Sequence, residues 1–152
     1  MKFKDDFIFG GATAAYQCEG SIADYGKGKN EWDVFLEEKG RFKADPASDQ
    51  DVKKIIENTS DFKVCVDHYH HIEEDIRLFA EMGLKAYRFS IAWTRIFPDG
   101  TGQINKEGVE FYHKLFKKCH EEGVEPFVTL HHFDSPAGLY ADGDFMNPKT
   151  IE

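Results

Sequence analysis

Arg88 stands in the middle of an apolar and aromatic run, Leu84 to Ile91. A run of this length and composition reads as a buried strand. A charge inside such a strand is costly unless something pairs with it. Two uses are open: a structural ion pair, or a cation aimed into a site at the strand's carboxyl end. Further along, a second apolar run ends in Leu130-His131-His132-Phe133-Asp134-Ser135-Pro136. Polar and aromatic side chains just past a strand's carboxyl end are where barrels and open α/β sheets place their sites. An imidazole nitrogen beside an aromatic face suits a sugar, whose hydroxyls bond the nitrogen while its C–H face stacks on the ring. Gln17 closes the segment Phe7-Ile8-Phe9-Gly10-Gly11-Ala12-Thr13-Ala14-Ala15-Tyr16-Gln17. Its amide carries donors and an acceptor in one plane, the chemistry for two neighbouring hydroxyls. The alternative is a glutamine that ties down its own loop.

Other chemistries fit less well. Asp67-His68-Tyr69-His70-His71 is the densest cluster of possible metal ligands. It precedes the helical pattern Ile72 to Met82 instead of following a strand, so these histidines read as capping and packing a helix start, and no metal is expected. A metal-dependent hydrolase using His68, His70, His71 and His131 stands as a rival reading. Gly26-Lys27-Gly28-Lys29 resembles a phosphate loop only superficially, because the Gly-Lys-Ser/Thr ending is missing. No GxGxxG fingerprint occurs, and no cofactor is expected. The three cysteines, Cys18, Cys65 and Cys119, are scattered without a CxxC pair and read as free thiols of a reducing cytosol. With 28 acidic against 19 basic side chains, a net charge of −9 and no basic stripe, nucleic acid is not an expected partner. The N-terminus lacks the apolar run of a signal peptide, and no stretch is long enough to span a bilayer, so the expectation is cytoplasmic, with no membrane partner.

The elements that must position these residues come as a repeat. Gly83 is a helix stop before the strand Leu84 to Ile91, and Gly123 precedes the strand Val124 to Leu130 in the same way. A helix-then-strand unit written twice is the mark of helices alternating with parallel strands. Both a doubly wound sheet and a barrel remain open at this point. The first helix, Ile72 to Met82, puts Ile72, Ile76, Phe79 and Ala80 on one face. The second, Lys106 to Glu122, has Asn105 as N-cap and Val109, Tyr112, Phe116 and Cys119 on its buried face. Pro126 opens a strand, where its missing donor does least harm. Trp32-Asp33-Val34-Phe35 is expected to lie as a lid against a core. Residues 18 to 66 are mostly loop-like, and 43 to 63 form a long polar excursion.

Taken together, these segments resemble family 1 glycoside hydrolases. The stretch Phe7 to Gly20 is similar to the family's N-terminal signature. Asp67-His68-Tyr69, the run Tyr87 to Pro98 and Leu130-His131-His132-Phe133-Asp134 match further family blocks in the right order. The resemblance covers essentially the whole chain and thins between residues 40 and 64. It implies a (β/α)8 barrel, which typically needs about 250 residues and eight strands. The 152 residues are therefore expected to be the N-terminal part of one such domain, truncated, with about three of the eight strands. By the same resemblance Gln17 and His132 hold hydroxyls of a small-molecule β-glycoside, and Arg88 pairs with the catalytic nucleophile. Phe133 stands where most members have tryptophan, which keeps a stacking face and loses an indole donor. His131-His132-Phe133-Asp134-Ser135-Pro136 followed by Gly143-Asp144-Phe145-Met146-Asn147 is most similar to the branch acting on 6-phosphorylated β-galactosides, with 6-phospho-β-glucosidases next.

Retaining glycosidases need two carboxyl groups about 5 to 5.5 Å apart. The family carries them in an Asn-Glu-Pro and a Thr-Glu-Asn-Gly motif, and neither occurs here. Ile56-Glu57-Asn58-Thr59 echoes the second by chance. The expectation is retaining hydrolysis by the complete enzyme and no catalytic residue in this segment, which alone is inactive and, with open strand edges, prone to aggregate. Two alternatives stand beside it: a non-catalytic sugar-binding remnant, and a β-glucosidase acting on unphosphorylated sugars.

Overall fold

The computed structural model describes residues 2–39 and 64–150. In chain order, β1 (Gly10–Ala12) leads into the short helix α1 (Ala15–Cys18) and then α2 (Glu31–Lys39). They are followed by α3 (His68–Glu81), β2 (Ala86–Ser90), α4 (Trp93–Ile96), α5 (Lys106–Glu121), β3 (Glu125–Thr129) and α6 (Ala137–Ala141). Two 3-10 turns, Asp144–Met146 and Pro148–Thr150, close the described part. The strands form one parallel sheet in the order β1-β2-β3. Gly10 lies beside Ala86, and Ala86 beside Glu125, so the three strands start level and end on one side.

Both repeated units stop their helices with the same device. Gly83 has φ +86° and Gly123 φ +66°. In each, the glycine and the next residue bond back to the last turn: Gly83 N to Ala80 O and Leu84 N to Phe79 O, Gly123 N to His120 O and Val124 N to Cys119 O. This paired bonding satisfies carbonyls that a helix end leaves open, and it turns the chain sharply into the strand. The conformation needs a residue without a Cβ penalty, which is why glycine recurs.

Strand β2 divides its side chains by the two-residue period. Tyr87 and Phe89 join Ile72 and Ile76 of α3 and Phe111, Tyr112, Leu115 and Cys119 of α5 in one core, with Val124. Arg88 and Ser90 take the opposite face. Phe79 and Ala80 pack on the core margin, as the helical pattern predicts. Burying a large apolar side chain is worth about 1.5–3 kcal/mol, and this cluster is what ties the two helices to the central strand. β3 is much less covered: Phe127 is 52% and Val128 38% exposed, and Leu130 just past it 77%.

Several local expectations are corrected. α3 begins at His68, so the histidines form its first turn instead of preceding it. The buried face of α5 is Gly108-Phe111-Tyr112-Leu115-Cys119, with Val109 only half-buried. Asn105 occupies the cap position of α5 without capping it; its Nδ2 donates to Tyr25 O and Arg95 O. Only Gly10 to Ala12 pairs as a strand at the N-terminus, and Phe7 and Phe9 are half-exposed, packing on Phe3. The long polar stretch 43–63 and Ile56-Glu57-Asn58-Thr59 lie outside the described residues. Among the described residues no helix is long and apolar enough to cross a membrane.

Candidate active-site floor at the strand ends

The carboxyl ends of the three strands bring three of the four expected site residues into one connected set. Arg88, half-buried on β2, donates from Nε to Thr129 Oγ1 at the end of β3 (2.6 Å). Its Nη2 donates to His132 Nδ1 (3.1 Å). A guanidinium has only donors, so Nδ1 must accept, and the neutral ring carries its proton on Nε2. The imidazole is thus fixed as a hydrogen-bond donor through Nε2. His131, the preceding residue, goes elsewhere: its ring meets Phe145 (centroids 5.1 Å apart) and Trp93 (6.2 Å). Phe133 follows with φ +57° and is 72% exposed, its ring 5.6 Å from that of His132.

Gln17 is exposed on α1, one turn past β1. Its Nε2 donates to the hydroxyl of Tyr16 at 3.3 Å. The Tyr16 ring lies 6.3 Å from the His132 ring and stacks on Trp32 at 5.9 Å, 16° from parallel. Tyr16, Gln17, Trp32 and Phe35 line a cavity of about 300 Å³. The aromatic segment of α2 is therefore a half-exposed wall beside the strand ends, correcting the expected lid on a core. The start of α2 carries a reciprocal cap: Asn30 N donates to Asp33 Oδ2 and Asp33 N to Asn30 Oδ1. Lys27 Nζ adds an ion pair to Asp33 at 3.0 Å. The first lysine of the Gly-Lys-Gly-Lys stretch is thus committed to a buried carboxylate. Gly28 is required by space, since a Cβ there would lie 1.8 Å from Pro98 O.

The most deeply buried charge is one that sequence reasoning did not single out. Arg95 is fully buried, with Nε 3.0 Å from Glu19 Oε2 and Nη2 donating to Gly20 O. Its guanidinium lies over the Tyr69 ring at 4.4 Å. Glu19 Oε1 accepts from Tyr112 (2.7 Å), whose oxygen accepts from Ala92 N. Burial, and then the Glu19 carboxylate, push the Tyr112 hydroxyl well above its ordinary range. The signal was present: Arg95 interrupts an apolar run as Arg88 does, and the Asn-x-x-Asp cap at residues 30–33 is equally visible in sequence.

The histidines at the start of α3 pair with acids of their own neighbourhood. His68 Nδ1 lies 2.6 Å from Asp75, and His70 Nδ1 2.6 Å from Asp67. Among the described residues no group of three or more His, Cys, Asp or Glu side chains could hold a metal ion.

A parallel sheet with crossover helices and a site at its carboxyl ends defines the class as a segment of an α/β barrel or open α/β sheet. Comparison with known proteins decides between them. The family model for glycosyl hydrolase family 1 matches residues 1–152. The chain is 50% identical over 151 residues to the 6-phospho-beta-galactosidase of Staphylococcus epidermidis and 51% identical to that of Leptotrichia buccalis, covering 99% of this chain and 28% of each relative. Among solved structures, the family 1 β-glucosidase from Thermotoga maritima superposes with a TM-score of 0.81 at 39% identity, covering 96% of this chain and 30% of that one. The chain belongs to glycosyl hydrolase family 1. Its fold is the N-terminal portion of a (β/α)8 barrel, and the described residues supply three of the eight strands. It spans under a third of the length of the relatives it matches.

Proposed function

We propose that this chain forms the sugar-gripping floor of a retaining β-glycosidase whose substrate is a 6-phosphorylated β-galactoside. The observation that carries the reading is the Arg88–His132 contact, with Thr129 beside it, at the carboxyl ends of adjacent parallel strands. His132 then offers Nε2–H to a sugar hydroxyl, Gln17 offers its amide to neighbouring hydroxyls, and Phe133 offers a stacking face. The half-buried Arg88 guanidinium has N–H donors beyond the two described bonds. They are suited to a nucleophilic carboxylate supplied by the remainder of the same single barrel domain. The phosphorylated substrate class is supported by the names of the relatives at about half identity. The retaining route needs two carboxylates from sequence motifs that these 152 residues do not contain.

The test is a chimera in which this chain replaces the homologous segment of the Leptotrichia buccalis enzyme. Nitrophenyl β-galactoside and β-glucoside, each with and without a 6-phosphate, report turnover. The expected result is preference for the 6-phosphogalactoside, with Gln17→Ala and His132→Ala each lowering kcat/KM at least tenfold, the loss of a hydrogen bond to a polar group in a dry site. A folded chimera indifferent to both substitutions refutes the site. Preference for the unphosphorylated glucoside transfers the reading to a β-glucosidase. The 152-residue chain alone turns over nothing; turnover by it that Gln17→Ala abolishes would overturn this. Galactose 6-phosphate bound by the chain without turnover in any context favours a sugar-binding remnant.

A further inference from the structure

The loop after β3 holds a costly conformation directly beside His132. Phe133 sits at φ +57°, a region that bulky residues rarely adopt unless their surroundings over-determine it. The surroundings come from the segment before and within α2. Glu31 N donates to Ser135 O, and Ala137 N to Lys29 O. The Trp32 indole Nε1 donates to the carbonyl oxygen of Phe133 itself. From inside the loop, His132 N donates to Asp134 Oδ1. Of these bonds only the indole's ties a side chain of α2 to the carbonyl of the strained residue.

The same indole is stacked on Tyr16, whose hydroxyl receives the Gln17 amide. One aromatic side chain therefore links the two residues proposed to hold the sugar. It reaches Gln17 through Tyr16 and His132 through the Phe133 carbonyl. We propose that Trp32 is a positioning residue for sugar binding: by donating to the Phe133 carbonyl it locks the loop so that His132 stays on Arg88 and keeps Nε2–H aimed as a donor. This rests on the proposed function, and it assigns Trp32 no contact with substrate. If the indole donor is lost, Phe133 is freer to leave the left-handed region, and His132, one peptide away, loses its fixed bearing on Arg88 Nη2.

The test is a double-mutant cycle in the chimera described above, read on nitrophenyl 6-phospho-β-galactoside. Trp32→Phe keeps a ring for Tyr16 and removes the N–H. In its place, the benzothiophene analogue of tryptophan removes the N–H at nearly constant shape, so a folding defect of the phenylalanine variant does not obscure the outcome. Either change is expected to lower kcat/KM about tenfold, the scale of one ordinary hydrogen bond. In a His132→Ala background the same change is expected to have no further effect, because the residue it positions is gone. A general packing role would multiply the two losses instead. The inference is overturned if the donor-less variants match the parent, or if their loss persists unchanged with His132→Ala. If His132→Ala itself leaves turnover untouched, the sugar-site reading fails first, and that outcome is separate from either of these.

Discussion

Replacing Glu19 by alanine should strip Arg95, the most deeply buried cation among the described residues, of the one carboxylate that those residues place on it. Arg95 has no exposure, its Nη1 has no hydrogen-bond partner among the described residues, and its other contacts there are one carbonyl and aromatic faces. Tyr112 would lose its acceptor in the same step. Removing one member of a buried pair costs about 3–5 kcal/mol, because the other charge is left desolvated and uncompensated. The control is the double replacement Glu19→Leu with Arg95→Met. It removes both charges and should cost less than about 2 kcal/mol, chiefly for the orphaned Tyr112 hydroxyl. Urea unfolding of the chimera described above, in which the open strand edges are covered, followed by circular dichroism gives both values. The reasoning is refuted if Glu19→Ala costs under about 1 kcal/mol, or if the double variant is no more stable than the single one.

Other outcomes follow from single observations. Gly108 lies inside α5, where alanine ordinarily gains up to about 1 kcal/mol; here a Cβ would lie 2.0 Å from Arg95 O, so Gly108→Ala should destabilise, and an unchanged or raised urea midpoint would contradict the close packing of α4 on α5. Burial raises the Asp134 carboxyl above its ordinary value, outweighing the lowering by the His132 backbone N–H and by His131. The folded state then holds that proton more tightly than the unfolded chain, so this contribution is present below the ordinary carboxyl range and is lost as pH rises through it. Asp134→Asn, which keeps the acceptor for His132 N, should therefore gain stability relative to the parent as pH rises above the ordinary carboxyl range; a gain that shrinks with rising pH has the wrong sign. Burial pushes the Cys18 thiol up to about 12 and Cys119 to about 11. Iodoacetamide at neutral pH should label only half-buried Cys65 in the folded chain and all three thiols in urea, as intact mass would report.

Periodicity and glycine placement made the frame readable. Gly83 and Gly123 announce their turns because no other residue takes that conformation without cost. Ile72, Ile76 and Phe79 announce a helix face because the 3.6-residue repeat leaves few alternatives. The face of α5 was read in part: Tyr112 and Cys119 are in the core and Phe116 packs on it, but Phe111 and Leu115 fit a helical stripe as well as Val109 does, and only the neighbour decides which is buried. Asn105 looks like a cap in sequence, yet its amide finds Tyr25 O and Arg95 O across a fold that local rules do not contain. The candidate site was legible only as residue types: an arginine in a strand, a histidine and an aromatic ring past one, a glutamine among small residues.

By itself, then, the sequence determined the helix–strand repeat, the parallel sheet it implies and the family to which its motifs belong, because these depend on local conformational cost and on contiguous pattern. Tertiary structure alone decided the partners. That Arg88 lies against His132 while Arg95 takes Glu19, and that Trp32 reaches the carbonyl of Phe133 from a helix distant in the chain, depends on through-space distance. Charges and donors of the same type are interchangeable in a sequence. They become distinct only when folding sets which of them water can still reach.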